Sequence, residues 1–416
     1  MRRSRTLTAS DALSRMTSNP FAKDRLFIMT DPDTMDPVGT GHSRKRPEIS
    51  GLIRKERTLP LAALTMLAFV AYGDRLSSGL ASPLVLVVIF AWLFGVILTA
   101  ALAVVRHADE LAERMGEPYG TLILTLTITA IEVVAISAVM FHGDNNPTLV
   151  RDTLFAVIMI ILNGMVGLSL LLGAWRRPEQ RHNLQGANAY LGLIVPLATL
   201  SLILPEFEPT PSGPAISSAH QTVLVFMSIG LYGVFLMLQT GRHRPYFTNH
   251  RAPTHAPAAR EHQPSGQPLI LHAALLFAYM VPVVYLVDHL ARPIDYVVET
   301  LHAPMALGGV VMAVLVATPE AISAVRAAIA DHLQRSVNIF LGSVLSTIGL
   351  TVPVMLAISH LSGHSIVLGL GRTETIMLVL TLAVSMITFA SGRTNVMQGF
   401  VHLMLFVTYL LLIIEG

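Results

Sequence analysis

A train of apolar runs constrains this chain more than any other feature. Eleven runs recur from residue 59 to the end, at roughly 59–73, 83–105, 119–141, 154–172, 189–204, 221–239, 269–287, 303–326, 337–358, 374–390 and 395–414, separated by Pro, Gly, Arg and His. A membrane-crossing helix needs ~20 apolar residues. The first run is short enough to read as an interfacial segment, and the others cross with modest tilt. Charged residues make up only 13% of the chain and hydrophobic ones 53%, whereas soluble domains carry about 25% charged residues. The mean hydropathy of +0.61 agrees. These values argue against a soluble enzyme. The predicted fold class is an all-α polytopic membrane protein with eleven transmembrane helices. The absence of cysteine removes disulfides, thiolate metal sites and cysteine nucleophiles.

Charge is unevenly placed. Residues 1–57 carry 12 Lys and Arg against 7 Asp and Glu, and hold every lysine of the chain: Lys23, Lys45 and Lys55. This segment lacks sustained apolar periodicity and reads as a disordered basic tail. No apolar core of signal-peptide length follows Arg2, Arg3 and Arg5 before residue 59. The tail reads as a solvated topology anchor, with contact to anionic lipid headgroups as the alternative.

With the N-terminus cytoplasmic, the cytoplasmic connections hold Arg106, Arg114, Arg176, Arg177, Arg181, Arg242, Arg244, Arg251, Arg260, Arg326, Arg335 and Arg393. The other side receives Arg75, Arg151, Arg292 and Arg372. This bias follows the positive-inside rule and supports the short first crossing. Without that crossing, the tail and the basic loops would lie on opposite sides. Eleven crossings leave the C-terminus outside, and the expected location is a bacterial inner membrane.

The expected divisions are a cytoplasmic tail (1–57), an extra helix with a first repeat (58–239), a loop (240–268) and a second repeat (269–416). The loop is rich in His, Arg and Pro. The irregular spacing of His243, His250, His255 and His262 defines no metal geometry, so the loop reads as a flexible linker.

Two segments resemble one another at an offset of 186 residues: 111–139 and 297–325. Glu113 then meets Glu299, Pro118 meets Pro304, and Ala135–Val139 meets Ala321–Val325 identically. The second copy starts five crossings after the first, and an odd displacement reverses its direction through the bilayer. Spans two to six and seven to eleven are therefore expected to be inverted five-helix repeats, with the first span outside them. Inverted repeats mark secondary transporters with a midplane site between the repeats.

Glu132 and Glu320 are the two carboxylates deep inside spans. A charge at the bilayer centre costs at least ~2.5–3.5 kcal/mol on insertion scales, and residues retained at that cost usually handle ions or protons. In the ungapped register Glu132 meets Thr318 and Glu320 meets Val134. Either a two-residue adjustment aligns the glutamates or they face differently; the adjustment is favoured, with Pro319 as its expected cause, since it frees backbone groups and disturbs a helix.

Thr121, Thr125, Thr129 and Glu132 share one helical face. The span after Glu320 adds Asn338, Ser343, Ser346 and Thr347, with Gly342 and Gly349. The span after Glu132 adds Asn163, with Gly164 and Gly167. Small residues of this kind also let helices pack closely. The expected cation and proton site is Glu132 with Glu320, and Thr129, Asn163, Thr318, Asn338, Ser343 and Ser346 are the candidate secondary ligands. Glu117, in "GEPYG", is a candidate for proton entry, because a helix N-terminus favours a carboxylate. His402 is read as a helix-to-helix hydrogen bond.

Hard cations such as Ca²⁺ take oxygen ligands from carboxylates, carbonyls, amides and water. Two neighbouring carboxylates repel, so protons and cations compete for one site. That competition is the minimal chemistry of an antiporter.

Four motifs carry a family resemblance: "VVRHADELAERMGEPYGTLIL" (104–124), "TLVRDTLFAVIMIILNG" (148–164), "NIFLGSVLSTIGLTVPV" (338–354) and "SGRTNVMQGFVHLMLF" (391–406). They resemble the bacterial calcium/proton antiporters of the Cha type, within the calcium/cation antiporter superfamily. The likeness runs through 59–416, excepting the 240–268 loop. It implies ten helices in two inverted five-helix repeats plus an extra helix. It also implies export of Ca²⁺ in exchange for H⁺, with Na⁺ or K⁺ exchanged by some relatives. The superfamily's "GNAxE" acids correspond here to Glu132 in "TAIE" and Glu320 in "ATPE", and the Gly-Asn-Ala part is absent from both.

The expected function is thus secondary active cation/proton exchange, with inorganic cations, protons and membrane lipids as partners, no cofactor and no nucleic acid. A cation channel and an intramembrane metal-dependent hydrolase are the alternatives. A channel has no need of proton competition. The hydrolase reading lacks an H-E-x-x-H motif and leaves the inverted repeat without a role. The sequence leaves oligomeric state open.

Overall fold

The computed structural model describes residues 56–116, 119–141, 147–207, 217–247 and 268–415. Residues 1–55 of the tail, Glu117, and His250, His255 and His262 of the central loop lie outside the described residues.

Among the described residues, eleven helices are long and apolar enough to cross a membrane. They are Thr58–Leu76, Pro83–Met115, Leu122–Met140, Leu149–Trp175, Leu184–Phe207, Ala219–Thr240, Leu269–Thr300, Ala306–Ile329, Leu333–Ser362, Arg372–Phe389 and Val396–Glu415, called here the first to eleventh spans. The first is a helix of full crossing length packed against the second and seventh, so the short apolar run is a crossing rather than an interfacial segment. Several helices outrun their apolar cores. The second continues ten residues past 105 through Arg106–Met115, because Ala, Glu, Leu, Arg and Met are good helix formers. It ends at Gly116, whose φ of 64° suits a residue without Cβ.

Spans two to six and seven to eleven form two inverted five-helix repeats, and the packing between them is reciprocal. The eighth span packs on the fourth, and the third packs on the ninth. The fourth span is interrupted by a π-helical segment at Ile160–Met165 and the ninth by one at Thr347–Thr351. Shifted by the same 186 residues, the first segment lands on 346–351. Single π turns inside α-helices commonly occur at functional sites. The expected break at Pro319 is not where the irregularity falls. The eighth span is one continuous α-helix, Ala306–Ile329, through Pro319. The π segments lie instead in the neighbouring fourth and ninth spans, and at Thr199–Ile203 in the fifth and Tyr296–Thr300 in the seventh.

Close crossings rely on glycine. A Cβ at Gly399 would sit 2.9 Å from the Leu171 backbone nitrogen and 3.1 Å from the Gly167 carbonyl. Gly399 and Gly167 therefore let the eleventh and fourth spans touch backbone to backbone.

The connections knit each face. On the face carrying the connection after the fourth span, Gln180–Arg181 pairs antiparallel with Arg393–Thr394. Gln180 also donates to the Ala328 carbonyl at 2.8 Å. Asn183 caps the fifth span by accepting from the Gln185 and Gly186 backbones. On the opposite face Arg151 donates to the Gly369 carbonyl at 3.0 Å. Exposed Leu64, Val87, Phe226, Ile270, Ile376 and Met404 ring the outside, as lipid contact requires.

Candidate functional site

Glu132, on the third span, and Glu320, on the eighth, are both buried, with 2% and 7% of their surface exposed. Both carboxylates meet the ninth span. The ninth span supplies hydroxyls to both. Glu132 Oε2 accepts from Thr351 Oγ1 at 2.6 Å and from Thr347 Oγ1 at 3.2 Å. Glu320 Oε2 accepts from Ser343 Oγ. Ser343, Thr347 and Thr351 are spaced four and four, and the π segment begins at Thr347, so one helix serves two carboxylates from opposite repeats.

The hydroxyl donation is asymmetric. At the same 186-residue offset the fourth span carries Val157, Ile161 and Met165, which offer no hydroxyl. Two polar atoms are unspent: the acceptor Glu132 Oε1 and the Thr129 hydroxyl one turn before it are buried without a hydrogen-bond partner. Buried polar atoms are normally paired, and an unpaired carboxylate oxygen is expensive. A cavity of about 10 Å³ lies against Glu320, walled by Val105, Ile131, Leu315 and Pro319 among others, and that is room for about one water. A bare pair of neighbouring carboxylates in this setting is costly, and a cation or a proton offsets that cost.

The other expected ligands are distributed unevenly. Ser343 reaches Glu320, and Thr129 lies on the Glu132 face. Ser346 donates to the Ser343 carbonyl at 2.9 Å and Thr318 to the Val314 carbonyl at 2.5 Å. Both thus bond their own helix, the usual fate of hydroxyls in membrane helices. Asn338 donates to the Phe247 carbonyl at 2.7 Å and accepts from Gln334, which places it in the face network. Asn163 donates to Thr381 at 2.8 Å and meets His402 Nδ1 at 3.4 Å, while His402 Nε2 meets Thr388 at 2.9 Å. These bonds join the fourth, tenth and eleventh spans, and His402 is a helix-to-helix link as expected. Thr125 hydrogen-bonds Tyr232. Glu117 lies outside the described residues.

Thr351 lies outside the ligand set expected from the sequence, in which Thr347 stands only as a polar neighbour. The four-residue spacing from Ser343 was the available signal. It was obscured because a π segment intervenes and because polar residues elsewhere on the ninth span looked equally eligible.

Comparison with known proteins identifies the family. Residues 85–241 and 271–415 match the family described as "Sodium/calcium exchanger protein". The chain is 43% identical over 319 residues to the "Putative ionic transporter y4hA" of Sinorhizobium fredii, covering 76% of this chain and 86% of that one. It is 38% identical over 360 residues to the "Sodium-potassium/proton antiporter ChaA" of Escherichia coli, covering 86% and 96%. Among solved structures it is similar in fold to native YfkE, with a TM-score of 0.67 at 19% identity, covering 86% of this chain and all of that one. It is also similar to the H⁺/Ca²⁺ exchanger CAX, with a TM-score of 0.58 at 14% identity, covering 85% and 89%. The relatives are transporters, so the intramembrane hydrolase reading is set aside. The chain belongs to the sodium/calcium exchanger family, among the Cha-type cation antiporters of bacteria, and is a multi-pass membrane antiporter of inorganic cations.

Proposed function

We propose that this antiporter exports Ca²⁺ in exchange for H⁺ by alternating access at a midplane site formed by Glu132 and Glu320. The observation that carries this reading is the shared ninth span. Its three hydroxyls hold two carboxylates from opposite repeats, while Glu132 Oε1 and Thr129 Oγ1 stay unpartnered. Hard oxygen ligands with two negative charges suit a divalent cation. Two carboxylates in one apolar setting take up protons when the cation leaves. Movement of one repeat against the other exposes such a site to each face in turn. The protein sits in the bacterial inner membrane with its N-terminus cytoplasmic and its C-terminus outside, supported by the arginine distribution. The divisions are the tail, the extra helix with the first repeat, the 240–268 loop and the second repeat.

Exchange of Na⁺ or K⁺ for H⁺ is the second reading. It is favoured by the printed name of the Escherichia coli relative, a sodium-potassium/proton antiporter. Everted vesicles carrying a pH-sensitive dye separate the two. Dissipation of a proton gradient by Ca²⁺ but not by Na⁺ or K⁺ supports the first reading, and the reverse pattern supports the second. No response to any of the three cations defeats both.

A further inference from the structure

A second group of buried titratable side chains lies away from the paired glutamates. His107, near the end of the second span, and His272, near the start of the seventh, are 2% and 3% exposed. Their Nδ1 atoms are 3.0 Å apart, and the rings are tilted at a centroid distance of 5.2 Å. The other nitrogen of His107 faces the Glu56 carboxylate at 3.5 Å and the Arg106 guanidinium at 3.4 Å. Glu56, just before the first span and 4% exposed, pairs with Arg106 and accepts from the Tyr279 hydroxyl at 3.0 Å. Tyr279 in turn meets Thr58 at 2.7 Å. The charged groups acting on His107 are Glu56, Arg106 and His272.

The alternation of eleven crossings puts the start of the first span, the end of the second and the start of the seventh on one face. The second and seventh spans open the two repeats and pack along one another. The histidine pair therefore bridges equivalent helices of opposite repeats.

Proton counting shows what the bridge tolerates. An Nδ1···Nδ1 hydrogen bond needs one N–H and one lone pair. With both rings neutral, one Nδ1 carries the N–H and the other offers its lone pair. With one added proton, one ring is protonated at both nitrogens and the other still presents a lone pair at Nδ1. The bond survives. A second added proton sets N–H against N–H and cation against cation at hydrogen-bond distance, and the bond is lost.

We propose that Glu56, His107 and His272 form a proton-binding clasp, separate from the paired glutamates, that holds the opening helices of the two repeats together and releases them on full protonation. Histidine titrates near pH 6.5 when unperturbed, and the clasp is a buried two-state contact of the kind that pH switches use. Its partner is the proton of the compartment on that face.

The chain contains no cysteine, so paired spin labels report on the clasp directly. Met115→Cys and Ile270→Cys place labels at exposed positions, 42% and 75% accessible, on the two helices near that face. The full chain is reconstituted in lipid vesicles and the label-to-label distance distribution is measured from about pH 8 to about pH 5.5, a window that brackets ordinary histidine titration. The expected result is a narrow distribution at the alkaline end that shifts or broadens in acid, with the change lost in His272→Gln and in His107→Gln. A distribution unchanged across this window in the otherwise unsubstituted chain overturns the proposal, whatever the variants do. So does an acid change that both histidine variants retain. The distance reading is independent of the antiport reading. Exchange is then measured without labels. His272→Gln is expected to match the unsubstituted protein near pH 8 and to depart from it in acid, and coincident profiles overturn the regulatory role.

Discussion

Thr351 of the second repeat donates a 2.6 Å hydrogen bond to Glu132 of the first. This bond crosses from the π segment of the ninth span to the third span. Movement that slides one repeat against the other must therefore strain or remake it. Thr351→Val removes the hydroxyl while keeping the shape. A hydrogen bond to a charged group contributes about 1.5 kcal/mol or more, so apparent cation affinity is expected to weaken roughly tenfold. Thr351→Ser is expected to stay near normal. Cation titration of dye-reported exchange in vesicles checks both.

Glu→Gln preserves size and hydrogen bonding but removes the titratable charge. Glu132→Gln and Glu320→Gln are each expected to abolish cation-driven proton movement while the protein still inserts at normal yield. In the unsubstituted protein, apparent cation affinity should weaken as pH falls, because protons and cations occupy the same oxygens. Near-normal exchange in either variant would sink the shared-carboxylate mechanism.

Ser343→Ala takes away the hydroxyl partner of Glu320 and leaves Glu132 with both of its threonines. The expected effect is a drop in exchange of about tenfold, the scale of one hydrogen bond to a charged group, with a changed pH dependence. A loss equal to that of Glu320→Gln would instead place Ser343 among the indispensable ligands.

Gly399→Val tests the crossing of the fourth and eleventh spans. With the Cβ position 2.9 Å from the Leu171 nitrogen, the backbones must separate. Overpacking of this kind costs about 1–3 kcal/mol. A lowered thermal unfolding temperature in detergent is expected, whereas Gly192→Val, at a position with open space around it, should change little.

His182 lies outside the spans, in the connection before the fifth. Burial pushes its imidazole below the ordinary 6.5, against the opposing pull of a hydrogen bond to the Phe389 carbonyl. A histidine kept neutral by folding gives its full stability above the unfolded value. That contribution declines as pH falls below 6.5 towards the depressed folded value, because the unfolded chain then binds more protons. Unfolding temperature measured against pH should fall in acid through this window, and less steeply in His182→Gln.

Apolar run length together with the arginine distribution determined the number of crossings, because a bilayer admits few backbone solutions besides helices about 20 residues long and basic connections stay on one side of it. The 186-residue likeness, read with that count, determined the inversion. Depth in an apolar run singled out Glu132 and Glu320, since a carboxylate is costly there and hard to mistake. Helix ends were less legible: Arg106–Met115 is polar, yet it continues the second helix, because hydropathy reports the membrane and not the backbone. The ligands around the glutamates were decided by tertiary structure. Asn338 and Thr351 look equally suitable along the ninth span, but Asn338 is drawn to the Phe247 carbonyl and Thr351 to Glu132. The π segment and the packing of the third span set which hydroxyl faces which carboxylate. The His107–His272 contact joins residues 165 positions apart, and nothing local in the chain marks either histidine as the other's partner. Its existence follows only from the second and seventh helices lying side by side.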